Sequence, residues 1–316
     1  MTRNGLLPKL SPPLPVKSGW PWTEESKPLP RMMSNNVTWP KISIVTPSYN
    51  QGQFLEETIR SVLLQNYPNL EYIIMDGGST DNSVAIIKKY EPWLTYWVSE
   101  KDGGQADAIY NGFKRSTGTI IGWLNSDDLF MPGALSSFAE YFVKHPNANL
   151  VISGCVLIDQ DTNMILKPNG LPHFNLGTHV SFRKLFWLGC DFHQPATLWK
   201  RNVFFEVGGF DTSLKFSFDY DMYLRISKIS PTHRLKNIVA AFRLHPESKT
   251  TNLMSVCSAE NDKIRRRYIK KISNRFIEQV LSHYYSRKAN LLLRFEVRWY
   301  RFLCFMGIKS LPSLYR

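Results

Sequence analysis

The chain has 316 residues, of which 43% are hydrophobic, so it can form one large domain with a substantial core. Its apolar runs are shorter than the roughly 18 residues of a membrane-spanning helix, and prolines and charges interrupt the N-terminal segment, so we expect a cytoplasmic protein without a secretory leader. The net charge of +13 is concentrated in residues 261–316, which hold 14 Lys and Arg against 3 Asp and Glu, and this predicts an anionic partner for the tail.

Residues 1–40 contain eight prolines, a density that excludes a regular helix or a central strand. Trp20 and Trp22 are too apolar for a pure linker, so we expect an extended arm whose tryptophans pack on the body of the protein. A disordered tail is the alternative.

Residues 41–128 alternate between two hydrophobic periods. Short β-branched runs that end in turn residues predict four strands, in "KISIVTPSYN", "LEYIIMDGGSTD", "LTYWVSEKDGG" and "TIIGWLNSDD". Helical spacing occurs between them, in "QFLEETIRSVLLQNY", "SVAIIKKYEPW" and "QADAIYNGFKRSTG". This alternation predicts an α/β fold with a mostly parallel central sheet and flanking helices.

Polar clusters follow each of these four strands, at residues 47–50, 76–81, 100–104 and 125–128. Ligands of such sheets bind beyond the carboxyl ends of the strands, so the four clusters predict one site at one edge. After residue 135 the rhythm weakens, although "ANLVISGCVLID" predicts another strand and "SFDYDMYLRISK" opens a helix.

Two segments within residues 41–249 carry a family pattern, namely "ISIVTPSYNQGQFLEETIRSVLLQNYPNLEYIIMDGGSTDNS" and the later "LNSDD". Together they resemble the family 2 glycosyltransferases, which have a GT-A fold. The resemblance implies an enzyme that moves a sugar from a nucleotide diphosphate donor to an acceptor hydroxyl, with inversion and with a divalent cation.

Residues at the first three strand ends are candidates for donor binding. Thr46, Pro47 and Tyr49 end the first strand and are expected to line the base. Asp76 can accept hydrogen bonds from a base N–H or a ribose hydroxyl, and the alternative is that it caps the glycine turn that follows. The resemblance implies that Asp102 lies near the nucleotide, and a plain Asp-Gly turn is the alternative.

Two adjacent carboxylates follow the fourth strand, and a divalent cation is the obvious compensation for their repulsion. The resemblance implies an Asp-x-Asp metal motif, whose positions are occupied by Asn125, Ser126 and Asp127, with Asp128 following. Mn²⁺ or Mg²⁺ prefers oxygen ligands and is usually held by one or two carboxylates plus substrate phosphates. We expect Asp127 to bind it directly, Asp128 to bind through water or fix the loop, and Asn125 to offer its amide to ribose or water. A capping loop before a helix is the alternative.

A later segment, "GGFDTSLKFSFDYDMYLRISK", resembles the family's base segment, and Asp219 occupies the position of the catalytic base. A base removes the proton of the acceptor hydroxyl as the anomeric carbon becomes oxocarbenium-like. The alternative is that Asp219 caps the following helix, whose dipole would lower its pKa and weaken it as a base. Asp211 belongs to the preceding turn and is expected to be structural.

Two histidines and a lysine complete the candidate site. His193, in "DFHQPATLW", precedes a predicted strand and is expected on the acceptor side. The segment "FRLHPESKT" resembles a loop that closes over the donor diphosphate, which implies His245 as a metal ligand and Lys249 as a phosphate contact. Structural roles are the alternative for both histidines.

The C-terminal segment interleaves basic residues with apolar ones at helical spacing, as in Ile264, Tyr268, Ile272, Phe276 and Val280. This pattern predicts an amphipathic helix on an anionic membrane surface. A helix packed on the domain with a solvated basic face is the alternative. The segment matches no nucleic-acid-binding motif, so no nucleic-acid partner is expected.

We therefore predict a Pro-rich arm (1–40), a GT-A domain (41–255) and a basic helical extension (256–316). The predicted function is metal-dependent, inverting sugar transfer to a glycan or lipid-linked acceptor, by a cytoplasmic protein bound peripherally to the inner face of the cell membrane. A nucleotidyltransferase is one alternative, although "TPSYNQGQF" lacks a basic triphosphate loop. A non-catalytic sugar-nucleotide-binding protein is the other, supported by Asn125.

Overall fold

The computed structural model describes residues 5–13, 15–166, 174–175, 180–182, 185–186, 189–190 and 192–269. The first half of the body alternates strands and helices as predicted. These elements are β1 (Ile42–Ser48), α1 (Gly52–Leu63), β2 (Leu70–Asp76), α2 (Ser83–Tyr90), β3 (Tyr96–Ser99), α3 (Gln105–Arg115) and β4 (Ile120–Trp123). Every residue of β1 and β4 is buried, as expected for strands that are covered on both faces.

The second half is less regular. Its elements are β5 (Leu129–Phe130), α4 (Ala134–Lys144), β6 (Leu150–Ile158), β7 (Phe174–Asn175), β8 (Thr197–Lys200), α5 (Arg201–Glu206), α6 (Phe218–Ile229), β9 (Thr232–Arg243), α7 (Lys249–Asn252) and α8 (Met254–Ile269). Single 3₁₀ turns occur at Leu7–Lys9, Glu91–Trp93 and Gln194–Ala196.

The strands of the described residues form one sheet in the order β3-β2-β1-β4-β8-β6-β9-β5, with β7 paired to β6. Neighbouring strands from β3 to β4 are parallel, and so are β6 and β9, whereas β8 runs antiparallel to both of its neighbours. The predicted α/β fold with a mostly parallel sheet is confirmed. The strands β2 and β3 lie on one side of β1, whereas β4 lies on the other side, so the strand order reverses at this point. The carboxyl ends of β1 and β4 flank this topological switch point, where such sheets bind ligands.

Strand β9 is the largest element that the sequence does not predict. Its first half is mostly polar, with Lys236 and Asn237 exposed in the middle, so the apolar run at 238–242 covers only its second half. Val239, Ala240 and Ala241 are deeply buried towards the end of the strand, and its first and last residues, Thr232 and Arg243, are buried as well. Its long pairing with β6 supplies the partner that the local sequence does not reveal.

Helices cover the two faces of the sheet with separate cores. One core contains side chains from α1, α2, α4 and the N-terminal arm. The other contains side chains from α3, α5, α6 and α8, with a group of edge-to-face aromatic contacts centred on Phe113, Trp123 and Trp199. This arrangement fixes the sheet from both sides and leaves its carboxyl edge as the place for a site.

The N-terminal arm packs on the body, which is the first of the two alternatives for this segment. Trp20 is buried, and its indole N–H donates to the carbonyl of Phe130 at 2.8 Å. Arg60 of α1 is buried beneath the arm and donates to the carbonyls of Pro21 and Trp22 at 2.9 and 2.8 Å. The arm therefore contributes to the core although it lacks regular structure.

Helix α8 packs against the domain. Ile264 is fully buried, and the Arg267 guanidinium pairs with the carboxylates of Asp211 and Asp221 at 2.7 and 3.3 Å. Residues 270–316, which include the rest of the predicted amphipathic pattern, lie outside the described residues. Within the described part of the chain, no helix is both long and apolar enough to cross a membrane.

Candidate active site

Asp76 ends β2 and holds the glycine turn that follows. Its buried carboxylate accepts hydrogen bonds from the backbone N–H groups of Gly78 and Ser79 at 3.2 and 2.9 Å. It also accepts from the hydroxyls of Ser79 and Ser99 at 2.6 and 2.7 Å. Three of these four bonds reach Oδ2 and one reaches Oδ1, so they hold the turn as the capping alternative expects and leave Oδ1 able to accept from a further donor.

The candidates at the end of β1 differ in exposure. Thr46 is buried, and its hydroxyl lies 3.0 Å from the hydroxyl of Tyr72 in the core. Pro47 is also buried, whereas 62% of Tyr49 is exposed. Tyr49 is therefore the member of this group whose side chain is available to stack on a planar ligand.

A cavity of about 440 Å³ lies where β2, β3 and α3 meet, within the size range of small-molecule sites. Its lining includes the carboxylates of Asp76, Asp102 and Asp107 and the amide of Asn111. Asp102 accepts a hydrogen bond from the backbone N–H of Gly104 at 2.7 Å, which orders its loop. Asp102 therefore stabilises the Asp-Gly turn and also lines the cavity.

Asn125 lies at the centre of a hydrogen-bond network beyond β4. Its amide oxygen accepts from the Gln105 amide and the Trp123 indole at 2.7 and 3.1 Å. Its amide nitrogen donates to Asp128 Oδ2 at 3.1 Å and to Gln194 Oε1 at 3.3 Å. An amide can donate and accept at once, so Asn125 satisfies groups that an aspartate could not.

The two neighbouring carboxylates have different surroundings. Asp127 is partly exposed, and its Oδ2 lies 3.1 Å from His245 Nε2. Asp128 is buried, and its Oδ1 accepts from the backbone N–H of Arg243 at 2.9 Å. Burial and the adjacent Asp127 charge raise the pKa of Asp128 well above its ordinary value. Asp127 is therefore the carboxylate that faces the site.

Asp127 and His245 together fit a divalent cation of the Mn²⁺ type, because a carboxylate and an imidazole are both common ligands of such ions. The ring of Phe54 packs on His245 at 4.8 Å and limits its movement. Over the described ranges, His, Cys, Asp and Glu side chains form no group of three or more that could hold a metal ion. A cation held by these two side chains would take donor phosphate and water as further ligands, as is usual for Mg²⁺ sites.

Lys249 and His193 are both connected with this network. The Lys249 ammonium donates to Gln105 Oε1 at 2.8 Å, which connects α7 with α3 and Asn125. His193 stacks on Phe242 of β9 at 5.1 Å and precedes Gln194 of the same network. Both residues therefore border the Asn125 network.

Asp219 is the second residue of α6 and is half-buried. Its Oδ1 accepts from the backbone N–H of Tyr220 at 2.7 Å. Desolvation, with a smaller contribution from the Glu260 charge, raises its pKa to about 6. The direction of this shift is opposite to the lowering that the helix dipole alone would cause. A carboxyl with this pKa is a stronger base than an ordinary aspartate.

Three residues that shape this site are not predicted from the sequence. Arg243 donates from its side chain to the carbonyl of Asp127 at 2.8 Å, Gln194 contacts Asn125, and Glu260 faces the segment before α6. None lies near its partner in the sequence. Gln194 and Arg243 each had a local signal, since Gln194 follows the candidate His193 and Arg243 lies two residues before the candidate His245.

Comparison with known proteins identifies the family. The sequence profile of glycosyl transferase family 2 matches residues 43–212, and the chain belongs to this family of glycosyltransferases. An uncharacterized glycosyltransferase of Rickettsia typhi is 28% identical over 76% of this chain and 75% of its own length. One from Rickettsia conorii is 31% identical over 71% of this chain, and the chondroitin synthase of Escherichia coli is 26% identical over 71%. The chain spans 36% and 32% of the length of these two relatives.

Solved structures share the fold at low sequence identity. The S. aureus protein TarS in complex with UDP-GlcNAc has a TM-score of 0.57 at 15% identity, covering 78% of this chain and 71% of that one. The mannosyltransferase PcManGT of Pyrobaculum calidifontis, in complex with GDP-Man and Mn²⁺, has a TM-score of 0.54 at 17% identity, covering 77% and 68%. Membership of the family favours sugar transfer over nucleotidyl transfer.

The Asn125 network generates a prediction about stability. Asn125→Asp replaces a donor with a carboxylate oxygen beside the buried Asp128, so we expect a loss of about 2 kcal/mol in the free energy of unfolding. The double variant Asn125→Asp/Asp128→Asn exchanges donor and acceptor and should recover most of the loss. Urea denaturation of the three proteins measures both effects. Equal stability of wild type and Asn125→Asp would contradict the network.

Proposed function

We propose that the protein transfers a sugar from a nucleotide diphosphate donor to an acceptor hydroxyl, with a divalent cation and with inversion. The contact between Asp127 and His245 carries this proposal, since it joins parts of the chain 118 residues apart beside the ends of the parallel strands. Tyr49, Asp76 and Asp102 lie at the neighbouring strand ends and are our candidates for contacts with the nucleotide.

Asp127 and His245 would hold the cation, and Lys249 would approach the donor diphosphate. A cation bound there would neutralise the charge that develops on the departing diphosphate. Asp128 is buried and bonded to Arg243, so we assign it to the loop or to a water-mediated contact. The Mn²⁺ in the PcManGT complex supports this assignment by analogy of fold.

Asp219 would act as the base. Its carboxylate would accept the proton of the acceptor hydroxyl while the oxygen attacks the anomeric carbon from the face opposite the diphosphate. The bond from the anomeric carbon to the diphosphate oxygen then breaks, and the nucleoside diphosphate leaves with the bonding electrons. Its raised pKa suits the role, because a base with a pKa near the working pH transfers protons most effectively.

The acceptor is proposed to be a surface polysaccharide or a lipid-linked glycan. The relative named chondroitin synthase supports a polysaccharide product. The basic tail supports work at a membrane, because residues 270–316 hold ten Lys and Arg against two Glu. In α8, Arg267 is paired with Asp211 and Asp221, so residues 270–316 are our candidates for the membrane contact.

Asp127→Ala should remove the metal dependence of donor binding while the protein stays folded. UDP and GDP titrated calorimetrically with and without Mn²⁺ measure this dependence. Asp161→Ala, which removes an exposed carboxylate elsewhere, serves as the matched control and should bind like the wild type. If the Asp127 variant retains the Mn²⁺ effect of the wild type, the metal assignment is wrong.

Asp219→Asn should lower kcat by roughly 10² or more with little change in donor affinity, as expected for loss of a general base. In the wild type the base must be unprotonated, so kcat/KM should fall as pH decreases through about 6. An unperturbed aspartate would place this limb at about 3.9. Initial rates between pH 4.5 and 8 test both points, and a variant that keeps its turnover refutes the base assignment.

The membrane proposal predicts that the wild type sediments with anionic liposomes at low salt and is released at high salt. Each basic residue near such a surface contributes about 1 kcal/mol, so Lys270→Ala/Lys271→Ala/Arg275→Ala should bind markedly less. A triple alanine variant at the exposed Lys88, Lys144 and Lys236 loses the same charge and should still sediment. If both variants lose the same amount of liposome binding, the binding depends on net charge alone and the assignment of the membrane contact to the tail is wrong.

A further inference from the structure

Glu260 of α8 reaches across to the backbone that precedes α6. Its Oε1 accepts from the N–H of Lys215 at 2.7 Å. Its Oε2 accepts from the N–H groups of Phe216 and Ser217 at 2.9 and 2.8 Å. One carboxylate thus binds three successive backbone donors that lie 43 to 45 residues away in the sequence.

These donors lead into the helix that carries Asp219. Ser217 occupies the N-cap position of α6, but its side chain makes no capping hydrogen bond. The start of a helix carries backbone N–H groups without internal partners, and a nearby anion is favoured there by the helix dipole. Glu260 supplies both a hydrogen-bond acceptor and a negative charge at this point. Asp219 lies two residues beyond Ser217, so its direction depends on how this turn is held.

Helix α8 is itself anchored, which makes Glu260 a fixed point. Ile264, one turn further on, is fully buried in the core of this face of the sheet. Arg267 pairs with Asp211 and Asp221, and these two residues flank the segment that Glu260 binds. A residue held by packing on a rigid helix can locate a reacting group more accurately than a free loop can.

We propose that Glu260 is a positioning residue for the transfer reaction, whose carboxylate fixes the turn at residues 215–217 and thereby the Asp219 carboxylate. The proposal rests on the proposed function, in which Asp219 is the base. It extends the site from the edge of the sheet to a helix that lies beyond the 43–212 family match. Glu260 acts through Asp219 and is not assigned any contact with donor or acceptor.

Charge gives the proposal a measurable consequence. The titratable groups that face Asp219 are Glu260 and Cys257 from α8 and Tyr223 from its own helix. Glu260 itself interacts with the ammonium groups of Lys263 and Lys249. The Glu260 charge opposes ionisation of Asp219, so removing it should make Asp219 easier to deprotonate.

Glu260→Gln tests the proposal, because it keeps the size of the side chain but loses the charge and one acceptor oxygen. Asp262→Asn is the matched control, since it removes an exposed charge of the same sign from the same helix. Carbon-13 NMR of labelled aspartate carboxyls, with the Asp219 signal assigned through Asp219→Asn, follows the titration directly. Amide hydrogen exchange at residues 215–217 reports whether the turn has loosened.

In Glu260→Gln we expect the Asp219 midpoint to fall below the wild-type value of about 6 and the exchange at residues 215–217 to accelerate. The acid limb of kcat/KM should move in the same direction, and kcat on the plateau should fall about tenfold or more because the base is less well placed. Asp262→Asn should match the wild type in all of these measurements.

An unchanged Asp219 midpoint together with unchanged exchange at residues 215–217 overturns the proposal, whatever happens to the rate. A variant that only melts earlier, with its midpoint unmoved, assigns Glu260 to stability alone and overturns it as well. If the wild type transfers sugar from no nucleotide donor, the proposed function fails. The titration and exchange results do not depend on turnover, so the two failures are distinguishable.

Discussion

The site depends on one buried cation, the guanidinium of Arg243 at the end of β9. Its side chain has no exposed surface and pairs with the Glu57 carboxylate of α1 at 2.8 Å. The same side chain donates to the carbonyl of Asp127, and its backbone N–H donates to the carboxylate of Asp128. A buried charge is tolerated only when it is paired and fully hydrogen-bonded. The need to satisfy Arg243 therefore fixes the positions of Glu57, Asp127 and Asp128 relative to one another. Because His245 follows two residues later, the same constraint places the imidazole beside Asp127.

Two adjacent aspartates can coexist here because their environments differ. Asp128 is enclosed and bonded to Arg243 and Asn125, and its raised pKa reflects this burial. Asp127 remains partly exposed and directs its charge towards the site. The Asn125 amide belongs to the same network, since it donates to Asp128 and accepts from Gln105, whereas a third carboxylate at this point would add repulsion.

The sequence predicted most of the first half of the fold, because each strand from β1 to β4 has a continuous apolar run and a polar exit. It also indicated the edge where Asp76, Asp102 and Asp127 lie, since parallel strands bring their carboxyl ends together. The sequence did not predict β9 or the role of Arg243, because the first half of the strand is mostly polar and its pairing with β6 is non-local. The same reason hides Glu260, whose partners lie more than 40 residues away. Local patterns reveal elements and edges, whereas long-range hydrogen bonds decide which polar side chains complete the site.

Helix α8 illustrates why an amphipathic pattern alone does not identify its partner. Ile264 and Tyr268 lie four residues apart and share one face, as they would on a membrane surface or against a protein core. The difference comes from the acidic groups of the domain, since Asp211 and Asp221 pair with Arg267 and draw this face towards α6. The same docking brings Glu260 against the turn before Asp219. A basic helix that the sequence suggested for a membrane therefore has partners within the domain, and its carboxylate contributes to the surroundings of the proposed base.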